Sequence, residues 1–245
     1  MTAFAMIVSR NAADNSACAA AYAGTKSRIA SMAAGLREEE VQGPCYAAAK
    51  MWLPHSRTTG FARDEATGSW LACVGNPQSA ASACVPRESL CAWLLRGYLE
   101  SSRNSILSLN APFVIIIYDG RDGVVNIVTD RLGLQRLYTA KCEGATIIST
   151  SSLALAASTP VTLDRQGLSV YFRIGFLLGT RTLFREISKV PAATWLTIRP
   201  DGVRGERYWN APAPQEGFNG ADEEIADAAS QVLDGALSSD APVTV

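Results

Sequence analysis

This sequence predicts an α+β fold built on antiparallel sheets, and three observations carry the expectation. Short apolar, β-branched runs recur in pairs joined by tight turns, the clearest being 113–118 and 124–129 around Asp119-Gly120-Arg121-Asp122-Gly123. Stretches of helical period are few and do not alternate with the strands, which argues against parallel βαβ units. A Pro- and Gly-rich segment, Asn210 to Gly220, separates one large block from a short tail.

Taken in order, Met1 to Val8 reads as a first strand, since it has no basic n-region and its apolar stretch ends at Ser9-Arg10. Residues 11–40 are Ala-rich and read as one or two short helices or an insertion, with helical spacing from Lys26 to Glu40 closed by Gly43-Pro44. Cys45 to Leu53 and Trp70 to Val74 read as strands, the second stopped by Gly75-Asn76-Pro77. Pro86 opens a helix running to Glu100, with Leu90, Trp93, Leu94 and Tyr98 on one face. After the 113–129 hairpin, Tyr138–Ala140 and Ala145–Ser149 form another around Glu143-Gly144. Asp164 caps a helix through Phe172. Thr194–Ile198 and Val203–Tyr208 make a last hairpin across Pro200-Asp201-Gly202. Beyond the linker, Asp222 to Leu237 is an amphipathic helix and Val243-Thr244-Val245 begins a strand. The expected organisation is therefore a domain at 1–210, a linker at 211–220 and the opening of a second domain at 221–245.

Composition excludes more than it suggests. A net charge of −1 gives no electrostatic footprint for nucleic acid or an anionic membrane. The longest apolar run, 113–118, is far too short to span a bilayer. The six cysteines, Cys18, Cys45, Cys73, Cys84, Cys91 and Cys142, contain no C-x-x-C pair, and with a single histidine they cannot form a zinc finger. They read as reduced, mostly buried thiols of a cytoplasmic protein. The lone His55 lies in a turn-like polar stretch, Pro54-His55-Ser56-Arg57, and is better suited to solvent than to a Ser-His or Cys-His machine.

Five segments carry a family resemblance. Leu109-Asn110-Ala111-Pro112-Phe113 with Tyr118-Asp119 is similar to the L-x-G-x-F-A-F-x-x-Y-D segment of asparagine synthetases. Asp130-Arg131-Leu132-Gly133-Leu134-Gln135-Arg136-Leu137-Tyr138 resembles their R-D-x-L-G-x-x-P-L-Y turn. Gly175-Phe176 with Thr180 to Ile187 resembles G-x-x-P-x-x-T-L-F-x-x-I, and Arg207-Tyr208-Trp209 resembles the closing R-Y-W. The tail Ser239-Asp240-Ala241-Pro242 resembles the S-D-x-P turn before the strand that leads to the family's ATP-gripping S-G-G-x-D-S loop. The match is good over 105–245 and loose over 1–104.

The resemblance implies a four-layer αββα sandwich of the N-terminal-nucleophile type over 1–210, then the first helix and strand of an α/β ATP-dependent synthetase domain. It implies that the chain stops short of the ATP loop, so that ATP and magnesium would belong to a missing C-terminal domain. That domain, or a partner chain, would pack on 221–245. The resemblance also implies a catalytic cysteine after the initiator methionine, and Thr2 stands there instead. A threonine hydroxyl is a poorer nucleophile than a thiol when its own α-amine is the only base. The family's glutamine-gripping R-L-S-I falls near 47–53, where Lys50 is found and Arg57 lies further on. Its N-G-E falls on Gly75-Asn76-Pro77, where proline offers neither charge nor N–H. An acidic residue near 104–108 is missing as well.

Loss of nucleophile and grip together implies a glutaminase-inactive domain, with no catalytic residue beyond Thr2 as a candidate. The parent would be an ATP-dependent, AMP-forming carbon–nitrogen ligase whose substrate is a peptide or amino-acid-like molecule. Lasso-peptide macrolactam synthetases (cyclases) and β-lactam synthetases are the two branches of that kind. The lasso type is preferred on the Val74-Gly75-Asn76-Pro77 stretch and the Ala-rich N-terminus. Two other readings stay open: an asparagine synthetase or amidotransferase that hydrolyses glutamine through Thr2, and a non-catalytic peptide- or partner-binding module. Asp130-Arg131 is expected to be a structural ion pair and turn.

Overall fold

The computed structural model describes residues 2–9, 16–32, 34–56, 58–78, 90–101, 103–142, 144–199 and 202–211, and the single residue 230. By compactness the chain divides into two units, Met1–Trp209 and Asn210–Val245. The described strands all belong to the first unit. They are β1 (Thr2–Ser9), β2 (Arg37–Gly43), β3 (Tyr46–Trp52), β4 (Ala62–Asp64), β5 (Ser69–Gly75), β6 (Phe113–Asp119), β7 (Val124–Thr129), β8 (Tyr138–Cys142), β9 (Ala145–Ser149), β10 (Ile187–Lys189), β11 (Thr194–Arg199) and β12 (Gly202–Arg207). The helices are α1 (Ser16–Met32), α2 (Leu90–Ser101), α3 (Asn104–Leu107), α4 (Ser152–Ala156) and α5 (Arg165–Ile174).

Two six-stranded antiparallel sheets face each other, ordered β10-β8-β9-β1-β3-β2 and β12-β11-β7-β6-β5-β4. Period-two alternation assigns each side chain to a layer. In β1, Ala3, Ala5 and Ile7 join Cys18, Tyr22 and Ile29 of α1 in an outer core. Phe4 and Met6 point the other way and meet Val114, Ile116 and Ile127 between the sheets. From β6, Phe113, Ile115 and Ile117 reach the far side, against Leu94, Leu95 and Tyr98 of α2. The three cores make four layers, αββα. The continuous apolar run 113–117 is thereby explained, because both of its faces are buried.

Several expectations need correction. Arg37 to Glu40 is strand, not the end of a helix: Val41 is buried, and pairing of β2 with β3 over its whole length outweighs the helix preference of the glutamates. Asp164 sits at the N-cap of α5, but its side chain makes no cap hydrogen bond. Its carboxylate lies 3.7 Å from Arg181 instead. Cys18 and Cys142 form a disulfide that joins α1 to β8, so they are not reduced thiols. Cys73 and Cys91 are free and buried, as read, and Cys45 is free and half-buried. The short β4, β10, α3 and α4 had no expectation. Cys84, the Pro86 helix start, the turn at Pro200-Asp201 and the helix and strand expected at 222–245 lie outside the described residues. No described helix is long and apolar enough to cross a membrane.

Candidate functional site

The free end of β1 brings Thr2 between the sheets, opposite Trp52 of β3 and beside the end of β5. Its Oγ1 accepts a hydrogen bond from the Gly75 backbone N–H at 3.2 Å. Gly75 is held from three directions. Its carbonyl accepts from Thr58 Oγ1 at 3.1 Å, the next N–H, of Asn76, donates to Pro112 O at 2.8 Å, and its own φ is +95°. A Cβ there would lie 2.6 Å from Pro112 O, so no other residue fits without moving the backbone. This position is what the apolar run stopped by Gly75-Asn76-Pro77 builds: a strand end turned so that one amide faces the first residue of β1. Asn76 completes the corner with a buried Oδ1 that lacks a hydrogen-bond partner in the described structure, and Pro77 is buried.

Lys50 is the other sequence-predicted residue the fold brings here. It pairs with Phe4 across β3 and β1, two steps along from Thr2, and its side chain enters the space between the sheets. Burial is complete, at 0% exposure. Nζ donates to the Gly60 carbonyl at 2.9 Å and lies 4.0 Å from Cys91 Sγ on α2. A buried ammonium is stable only where such acceptors surround it. The amine is therefore committed to the protein's own loop at 58–60, not held toward an open site. Around it, burial pushes the Cys73 thiol well up, with Cys91 adding to the rise and Lys50 opposing it. That thiol is a core group and no nucleophile.

The other residues singled out lie elsewhere. His55 is exposed in its turn, and Arg57 lies outside the described residues. Asp130, fully buried, is not in an ion pair with Arg131, which corrects the expectation. Its carboxylate accepts the backbone N–H groups of Leu132, Leu134, Gln135 and Phe113 at 3.0, 3.1, 3.0 and 3.3 Å. Arg131 donates to Leu107 O at 2.9 Å. Short polar side chains accept from the backbone within their own turn, so Asp130 shapes the turn in place of reacting. The segment at 104–108 is α3 and its end, with Ile106 buried in the far core. Sequence reading missed a buried network on that side. Tyr98 OH donates to Asp119 at 2.9 Å, Arg121 donates to the same carboxylate, and Asn126 joins Tyr98 to the Trp195 indole. The presence of Tyr98 on the buried helix face and of Asp119 at a strand end was the available signal.

Comparison with known proteins agrees with this architecture. The model of the glutamine amidotransferase domain family matches residues 86–209. Asparagine synthetase [glutamine-hydrolyzing] 3 of Bacillus subtilis (strain 168) is 29% identical over 157 residues, covering 61% of this chain and 25% of its own length. Asparagine synthetase [glutamine-hydrolyzing] 1 of the same organism is 25% identical over 120 residues, 48% of this chain and 19% of that protein. The chain thus spans about a quarter or less of the curated relatives it matches. Among solved structures, the glutamine phosphoribosylpyrophosphate amidotransferase from B. subtilis in complex with ADP and GMP superposes with a TM-score of 0.53 at 11% identity. That alignment covers 85% of this chain and 49% of that one, and it shows a shared fold.

Proposed function

We propose, from the premise that this chain belongs to the glutamine amidotransferase domain family, that it is a glutaminase-inactive domain of an asparagine-synthetase-like, ATP-dependent amide-forming enzyme of the lasso-peptide macrolactam synthetase (cyclase) type. The observation that carries the inactivity is Lys50. It stands in the stretch where the resemblance places the carboxylate-gripping arginine, yet its amine is fully buried and hydrogen-bonded to Gly60 O. The Gly75 N–H, a donor suited to a developing oxyanion, is already taken by the Thr2 hydroxyl. Pro77 has no N–H with which to contribute. A domain that cannot draw ammonia from glutamine leaves the amine to come from the substrate itself, which favours ring closure by a peptide's own amine. On this reading ATP chemistry belongs to polypeptide outside this domain.

The test is glutamate release from glutamine by purified protein whose processed N-terminus has been confirmed, for the native chain and for Thr2→Cys. Both are expected at background, since the grip is lost along with the nucleophile. Turnover by Thr2→Cys alone would mean the pocket survives and only the nucleophile was lost. A second reading, glutamine hydrolysis through Thr2, is favoured by the placement of its Oγ1 against the Gly75 amide. Turnover by the native chain that disappears in Thr2→Ala would establish it in place of the first.

A further inference from the structure

The segment following α4 is built unlike the rest of the domain. α5 is strongly amphipathic, yet Gly167 is its only buried residue. Tyr171, Phe172, Ile174, Phe176 and Leu178 are all exposed, Phe172 by 78%. Five large exposed apolar side chains within eight positions, with the Tyr171 and Phe172 rings in edge contact, are a concentration of apolar surface of the kind that marks an interaction site. The patch is not a loose strand of chain. The left-handed Gly175 ends α5, with its N–H bonded to Tyr171 O. The return segment is fixed by Lys189 N–H to Thr180 O at 2.8 Å and by Thr182 Oγ1 between Phe184 O and Ile187 O. Between α5 and the loop lies a concavity of about 400 Å³, lined by Gly167, Val170, Leu177 and Leu178 among others. The segment that carries it is basic: residues 161–190 hold five Lys and Arg against two acids in a chain whose net charge is −1, with Arg181 lining the concavity and Arg165 and Arg173 exposed on α5. Both acids have partners already, Asp164 with Arg181 and Glu186 with Thr162.

We propose that α5 and the 175–181 loop form a docking face for a partner polypeptide that presents an apolar stripe edged by carboxylates. The concavity fits a protruding apolar side chain, the exposed aromatics supply anchor area, and the arginines pair with the acidic edge. A second copy of this chain would bring the same basic segment and meet like charge. A flat anionic lipid surface would have no use for a concavity. The inference stands on this face alone and does not depend on the glutaminase reading.

The experiment is selection of random peptides displayed on phage against the full chain, with Phe172→Asp as the counter-selection target. Phe172 is exposed, so this variant keeps the core, and an unchanged melting temperature checks that. Recovered peptides are expected to combine apolar and acidic residues and to slow hydrogen exchange across 168–178. They are also expected to bind Phe172→Asp at least tenfold more weakly and to lose affinity as salt rises. Peptides that are basic, that protect other segments or that bind the variant equally well would overturn the proposal. So would binding to phosphatidylserine vesicles that Phe172→Asp abolishes, or self-association of the native chain that the same change removes.

Discussion

At the scale of single residues, the carboxylate of Asp130 shows how one buried side chain organises a turn. It accepts four backbone N–H groups while itself lying fully buried, so its geometry and those amides depend on one another. Asp130→Asn keeps the size but turns an NH₂ toward some of those donors. Urea unfolding is expected to show a loss of about 2–3 kcal/mol, the cost of leaving buried amides unpaired. A loss below 0.5 kcal/mol would mean the turn is held by its backbone alone. The presence of this turn was legible in the sequence, through Asp130 and Gly133, whereas its bonding was not. The family resemblance implied an ion pair, but the backbone donors lie nearer to the carboxylate than the Arg131 guanidinium does. Lys50 was legible only as a departure. Its full burial depends on where the loop at 58–60 folds, and spacing within one strand carries no such information.

At the scale of elements, strands buried on both faces were read most directly, and the exposed edge strands fared differently: β12 was read from its hairpin turn, β2 was not. β6 and β7 announced themselves because both faces are buried. β2 is an edge strand whose REEEVQG has one buried side chain, so only pairing with β3 makes it a strand. The Cys18–Cys142 disulfide spans 124 residues and links two elements that only the fold brings together. The junction of α2, β6 and β7 yields a pH prediction. Hydrogen bonds from Arg121, then from Tyr98, hold the Asp119 carboxyl below its usual range against the opposing effect of burial. Burial, then Asp119 itself, pushes Tyr98 up to about 12. A native pKa below the unfolded one stabilises the fold above the unfolded value, near pH 4, and that share is lost as pH falls through the native value. Acid titration of stability should therefore show Asp119→Asn closing on the native protein below about pH 4. If the two curves stay parallel down to pH 2, the carboxylate contributes no linkage.

At the scale of the whole molecule, the three cores draw their buried apolar residues from 3 to 198. The chain's last described anchor comes later. Tyr208 packs on the α2 core, its hydroxyl donates to Thr129 O at 2.7 Å and its N–H donates to Ala193 O at 2.9 Å. β12, before it, is largely exposed and holds the edge by pairing with β11 and by the Glu206–Arg103 ion pair. The closing Arg207-Tyr208-Trp209 that the sequence offered as a resemblance is thus, in physical terms, a latch through Tyr208 on β7 and on Ala193, the residue before β11. A chain cut after Ala211 is expected to fold alone and to melt within about 3 °C of the full chain, the shift that roughly 1 kcal/mol makes in a domain of this size. A chain cut after Arg207 loses the latch, a half-buried ring and two hydrogen bonds together, and is expected to melt at least about 6 °C lower. Differential scanning calorimetry of the three lengths decides it. If the first cut also melts far lower, residues beyond 211 stabilise the domain and its boundary lies further along the chain. If both cuts melt with the full chain, the sheets close without the latch, and Tyr208 has some role other than holding the edge.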